Sequence, residues 1–191
     1  MLTPMPRCSS CSPSAWFALL SLFVGAGCSS GAETKTGSPT DSSREALVSL
    51  EGWTAVTRAD DPFVVEGEEP PECEPAFHVE DAQNWLEVDT TACKWVTLTQ
   101  TTRAEVAEGD RLEFDFSHFD LDADAPATAE LRLRFDDCDA WSKSIPIPGA
   151  ADVYAEQFRS PCRLTSDSQV LFHLHNHGQN TYQLKDLSRL H

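Results

Sequence analysis

Between residues 128 and 135, apolar and polar side chains alternate without a break. Ala129, Leu131, Leu133 and Phe135 take one parity; Thr128, Glu130, Arg132 and Arg134 take the other. Successive side chains of a strand point to opposite faces, so this pattern dictates a strand with one face in a core and one in water. A helix would scatter the same four apolar residues around its circumference. The period recurs along the chain. Leu112, Phe114 and Phe116 alternate with Arg111, Glu113, Asp115 and Ser117, and Val170, Phe172 and Leu174 form another inward row. Shorter runs lie at 53–57, 63–65, 76–79, 84–88, 94–100, 141–147, 153–158 and 182–187, with turn chemistry such as Asp60-Asp61-Pro62, Gly109-Asp110 and Pro148-Gly149 between them. Residues 44–50 are expected to make one or two helical turns, and nothing else has a helical period. Short strands at this spacing predict an all-β chain, and at this length a jelly-roll-like antiparallel β-sandwich.

The alternation starts only beyond residue 45. Upstream, Arg7 precedes a short apolar run, Ala15 to Val24, and then Gly25-Ala26-Gly27-Cys28. The run is too short to span a bilayer and of the length used for export. The small residues before Cys28 resemble the lipobox of bacterial lipoproteins, although Gly25 stands where that family usually has Leu. The resemblance implies a signal peptide over 1–27, acylation of Cys28, and a membrane attachment through lipid alone. Ser29 is not the Asp that retains enteric lipoproteins in the inner membrane, so the implied address is the cell envelope at the outer membrane. Residues 28–45 are rich in Ser, Thr, Gly, Asp and Glu and predict a flexible tether, leaving 46–191 as the folded domain. Cys8 and Cys11 fall in the discarded segment, so their C-x-x-C spacing carries no redox or metal meaning here.

Four cysteines remain: Cys73, Cys93, Cys138 and Cys162. In an exported domain an even number reads as a disulfide framework, and pairing near neighbours gives Cys73–Cys93 and Cys138–Cys162. A four-thiolate zinc site is disfavoured because none of the four lies in a C-x2–4-C pair. The formal net charge of −17 repels phosphate backbones and anionic headgroups, which excludes nucleic acid and leaves neutral sugars, peptides or an envelope protein as partners.

The stretch Gly109 to Phe114, the run Ile145-Pro146-Ile147-Pro148, and Phe172 to Leu187 with the loop Asn176-His177-Gly178-Gln179-Asn180 resemble galactose-binding-like jelly rolls over roughly residues 105–190. The chain as a whole resembles uncharacterised exported lipoproteins of predatory soil bacteria, a likeness that implies no activity.

Three constellations could carry chemistry. His173 and His175 share the face opposite Phe172 and Leu174, and with His177 they are candidate ligands for a transition metal. Asp120, Asp122 and Asp124 have the spacing that opens a calcium loop, but Ala125 and Leu131 stand where an EF-hand needs Gly and Glu. Trp85 and Trp95 fall out of phase with their apolar neighbours. If 84–88 and 94–100 formed a hairpin, the two rings would be cross-strand neighbours on one outer face, a ligand platform together with His173 and His175. No G-x-S-x-G elbow or other nucleophile signature is present. The expected function is a non-catalytic, lipid-anchored sandwich binding a ligand or glycan; the alternatives are a protein-interaction lipoprotein and a His-ligated metalloprotein.

Overall fold

In the computed structural model, described for residues 43–64 and 73–191, eleven strands form two antiparallel sheets. They are β1 (Arg44–Ala46), β2 (Thr54–Ala55), β3 (Ala76–Glu80), β4 (Trp85–Asp89), β5 (Trp95–Thr101), β6 (Arg111–His118), β7 (Ala127–Phe135), β8 (Cys138–Ile147), β9 (Asp152–Arg159), β10 (Gln169–His175) and β11 (Thr181–Leu190). The expected signal peptide, Cys28 and all but the last residues of the tether lie outside the described residues. Residues 44 and 45, assigned to the tether, are instead in β1, which pairs with the end of β11. The helical turns expected over 44–50 are also replaced: β1 is extended, and only Leu50–Gly52 makes a 3-10 turn.

One sheet runs β3-β4-β11-β6-β9 with β1 joined to β11, and the other runs β2-β5-β10-β7-β8. Leaving out β1 to β3, the chain passes from one sheet to the other at every step except β7 to β8. Those two form a hairpin around Asp136-Asp137, where Asp136 takes a left-handed φ of 49°. Sheets of order β4-β11-β6-β9 and β5-β10-β7-β8 are the two sheets of a jelly roll. The alternation translates directly. Leu86, Val88, Phe114, Phe116, Leu184 and Leu187 face inward from the first sheet, and Val96, Leu98, Leu131, Leu133, Phe172 and Leu174 from the second. Fully burying each such side chain stabilises by about 1.5–3 kcal/mol.

The crossing from β4 to β5 departs from the expected hairpin. Residues 90–94 arch from one sheet to the other, with Thr90 and Cys93 turned into the protein rather than to solvent. Thr90 Oγ1 donates to the Asn180 carbonyl at 2.8 Å and accepts from the Asn180 amide at 3.0 Å. Tyr182 closes the same corner by donating to Asn176 Oδ1 at 2.7 Å. Gly178, at φ 84°, is required there because a Cβ would collide with the Asp122 carbonyl oxygen. Cys93 is bonded to Cys73, with Cα atoms 5.3 Å apart, which ties the arch to the segment before β3. Cys138 and Cys162, expected to form the second disulfide, are adjacent thiols instead. Burial is the main cause that pushes Cys162 up to about 12, and the hydrogen bond to Cys138 adds to it.

Candidate functional site: the two outer faces

The outer face of the β5-β10-β7 sheet receives most of the ring residues singled out from sequence. Trp95 lies 4.7 Å from His173 and 4.8 Å from His175, centroid to centroid, and His175 lies 5.1 Å from His177. Of this cluster only His173 is buried; Trp95 and His175 are half-buried and His177 is exposed. The segment after β2 lays Phe63 flat on His173 at 4.4 Å. Asp61 Oδ2 accepts from Trp95 Nε1 at 2.8 Å and from Thr97 Oγ1 at 2.7 Å. A hydroxyl has one proton, and Thr97 gives it to Asp61, so Thr97 accepts from His173 Nδ1 at 2.8 Å. His173 is 3% exposed, and burial pushes it down to about 3, which keeps the ring neutral at pH 7. Asp61 and Phe63 thus form a clasp that closes the face over His173, while a cleft of about 530 Å³ stays open beside Trp95 and Thr97.

The metal readings do not assemble. His173 spends Nδ1 on Thr97 and is buried beneath Phe63, and among the described residues no three His, Cys, Asp or Glu side chains converge as a metal site. In the acidic loop, Asp120 Oδ1 accepts from the Ala151 amide at 2.7 Å, while the Asp122 backbone is bonded on both sides to the Asn180 side chain. Asp124 lines a cleft with Lys94 and His177.

Trp85 is on the other side of the molecule. Because β4 and β5 belong to different sheets, Trp85 and Trp95 lie on opposite outer faces, and the two-ring platform does not exist. The register of the first sheet shows what accompanies Trp85. One outward row reads His78, Glu87, Gln183, Ser117 and Val153 across β3, β4, β11, β6 and β9. The adjacent row holds Glu80, Trp85, Asp186, Asp115 and Ala155. Phe119, just past β6, keeps the outward parity of Asp115 and Ser117, and its amide bonds the Thr181 carbonyl at 3.4 Å. Phe119 is 54% exposed and Val153 68%.

Between these apolar groups and Trp85 lie polar atoms removed from water and left unpaired. Gln183 is 2% exposed; its Oε1 accepts from Ser117 Oγ at 2.9 Å, while Nε2 has no partner. Trp85 Nε1 and Asp115 Oδ1 are likewise unpartnered. Each such group costs about 1–3 kcal/mol, and folded proteins satisfy nearly all of them. Arg44 from β1 holds the other Asp115 oxygen at 2.8 Å and also pairs with Glu113. Burial, followed by the nearby Asp115 charge, raises the Asp186 carboxyl above its ordinary value.

A β-bulge between Leu184 and Asp186 breaks this face. β4 pairs with β11 only as far as Leu184, and β1 takes over from Ser188. The gap between them opens a cleft of about 610 Å³ lined by Ala46, Ser49, Asn84, Arg103, Lys185 and Asp186. Lys185 Nζ sits 5.7 Å above the Trp85 ring beside it. Sequence reasoning missed Phe119, Gln183 and Asp115. Phe119 had a signal, an aromatic residue on the polar parity of its strand; the others depend on cross-strand register.

No protein-family model matches the chain, and no curated protein matches it. Solved structures similar to it include a CBM4 structure, at 11% identity over 75% of this chain and 89% of that one, with a TM-score of 0.45. TmCBM61 in complex with beta-1,4-galactotriose aligns at 8% identity over 75% of this chain and 90% of that one, TM-score 0.43. A family 11 carbohydrate-binding module from Clostridium thermocellum, in complex with a beta-1,3-1,4-mixed-linked tetrasaccharide, aligns at 11% identity over 76% and 94%, TM-score 0.42. On its own strand order, the chain is an all-β protein whose residues 85–190 fold as a jelly-roll sandwich.

Proposed function

We propose that the chain is a non-catalytic glycan-binding module that takes its ligand on the outer face of the β4-β11-β6-β9 sheet. One observation carries this reading: exposed Phe119 and part-buried Trp85 flank unpartnered Gln183 Nε2 and Asp115 Oδ1 on a single face. Sugars present C–H faces that pack on flat rings, and hydroxyls that donate to a carboxylate and accept from an amide in the same contact. A purely apolar partner would leave Gln183 and Asp115 unsatisfied. Trp85 lies in the row on one side of Gln183 and Ser117, and Phe119 lies past Ser117 on the other side, which suits an extended oligosaccharide rather than one sugar.

The same proposal includes the address inferred from residues 1–45. The module is held at the outer membrane by a lipid on Cys28, so its ligand is extracytoplasmic. Mass spectrometry of the membrane fraction tests the anchor: a Cys28→Ala form that still partitions with membranes, with no loss of acyl mass, contradicts it. The binding reading is tested on an oligosaccharide array with Phe119→Ala as control. Loss of signal in a variant of unchanged melting temperature supports the site. Capture of an envelope protein with no glycan signal would favour the protein-interaction reading.

A further inference from the structure

Carboxylates cluster around Asp115 on this face, while Arg111 and Arg159 sit at the other end of β6, bonded to Gln157 and to the Gly109 carbonyl. The outward rows carry Glu80, Glu87, Glu113, Asp115 and Asp186. The partners around them are already engaged: His78 Nε2 is 2.8 Å from Glu80, Lys185 lies over Trp85, and Arg44 is divided between Glu113 and Asp115. Gln157 Nε2 completes Glu113 by donating to its second oxygen at 2.6 Å. Glu113 is thus satisfied on both oxygens and Asp115 on one only. Next to it Asp186 is half-buried, its carboxyl raised by that burial and by Asp115. The face can accept one more positive charge where it now holds an unpaired carboxylate oxygen.

Gln183 shows that the missing group belongs to a ligand with hydroxyls as well as charge. It neighbours Asp115 diagonally, is almost fully buried, and its amide nitrogen, with the oxygen committed to Ser117, lacks an acceptor. A simple cation would pair with Asp115 and leave that donor orphaned. We propose that the glycan taken by this face carries free amino groups, with an ammonium on Asp115 Oδ1 and a ring or hydroxyl oxygen on Gln183 Nε2. This rests on the glycan reading above and specifies the sugar class, a de-N-acetylated amino-sugar oligomer. Charge-assisted hydrogen bonds of this kind are about twice as strong as neutral ones.

The test is calorimetric titration with matched β-1,4- and β-1,3-linked tetramers differing only at C2: ammonium, acetamide or hydroxyl. The ammonium tetramer is expected to bind at least about tenfold more tightly than the hydroxyl tetramer at low salt, with the gap narrowing as salt rises. Asp115→Asn should abolish that preference, so that the ammonium and hydroxyl tetramers bind this variant equally. Asp137→Asn, the same charge change at the β7–β8 hairpin, should keep it. Should Asp115→Asn fail to fold, Asp186→Asn is expected to reduce the preference. Equal binding of ammonium and hydroxyl tetramers overturns the inference while leaving the glycan reading intact. A preference that survives both face variants also overturns it, because it would then arise from the acidic surface as a whole. Failure of every tetramer to bind removes both readings.

Discussion

The two outer faces of the sandwich treat their tryptophans in opposite ways. On the β5-β10-β7 sheet, Trp95, Thr97 and His173 are each given a partner by Asp61 or by one another, and Phe63 covers His173, although Thr99 Oγ1 and Arg134 Nε on the same face have no hydrogen-bond partner. On the β4-β11-β6 sheet, Trp85, Gln183 and Asp115 keep unpartnered buried atoms beside exposed Phe119 and Val153. Two Trp residues ten positions apart thus meet contrary fates: one indole N–H is satisfied within the fold, the other is not. The Asp61 clasp invests stability around Trp95 and His173, whereas the cluster of Trp85, Gln183 and Asp115 holds unmet hydrogen-bonding capacity. The more ring-rich cluster is therefore the structural one.

The contrast predicts large stability effects on the closed face and small ones on the open face. Reduction of Cys73–Cys93, or Cys93→Ser, should have the largest effect, about 2–4 kcal/mol in urea unfolding, because it releases the arch that separates the two Trp residues. Asp61→Ala comes next. It strands Trp95 Nε1, at about 1–3 kcal/mol, and leaves Thr97 Oγ1 with His173 as its one remaining partner, with no effect on glycan binding. Non-reducing peptide mapping of the same samples reports whether Cys138 and Cys162, adjacent thiols in the structure, join under oxidising conditions.

Acid should open the closed face. His173 is neutral in the folded protein down to about pH 3, but protonates near 6.5 when unfolded. The unfolded chain then binds more protons below pH 6.5, so stability falls as pH drops from 6.5 toward 3, by up to about 1.4 kcal/mol per unit from this group. Denaturation midpoints measured across that window should follow this slope, and His173→Gln should flatten it. A profile identical in wild type and variant would mean that the clasp does not hold His173 neutral.

Much of the core, and the fact that Trp95, His173 and His175 share an outer face, was legible in the sequence, because side-chain parity alone selects them. Leu131, Leu133, Phe172 and Leu174 needed no partner to be read as inward. The site was not legible, since it is a property of pairing. Residues 89–95 look like a hairpin, and only the inward anchoring of Thr90 and Cys93 makes them an arch, which moves Trp85 away from Trp95. Asp61 sits in turn chemistry, Asp60-Asp61-Pro62, and nothing local says that its carboxylate will fasten β5 from 34 residues away. Gln183 is one polar residue among many until register sets it between Glu87 and Ser117.

The smallest stability effects are expected on the open face, where function rather than folding is at stake. Trp85→Phe removes an unpartnered donor and should change stability by no more than about 0.5 kcal/mol, or raise it slightly. The most direct test of the central claim is oligosaccharide affinity compared between Phe119→Ala and Asp61→Ala. The account predicts at least about a tenfold loss with unchanged melting temperature for Phe119→Ala, and unchanged affinity with a lowered melting temperature for Asp61→Ala. Affinity lost in Asp61→Ala while the protein remains folded, but retained in Phe119→Ala, would place the ligand on the other sheet and contradict it.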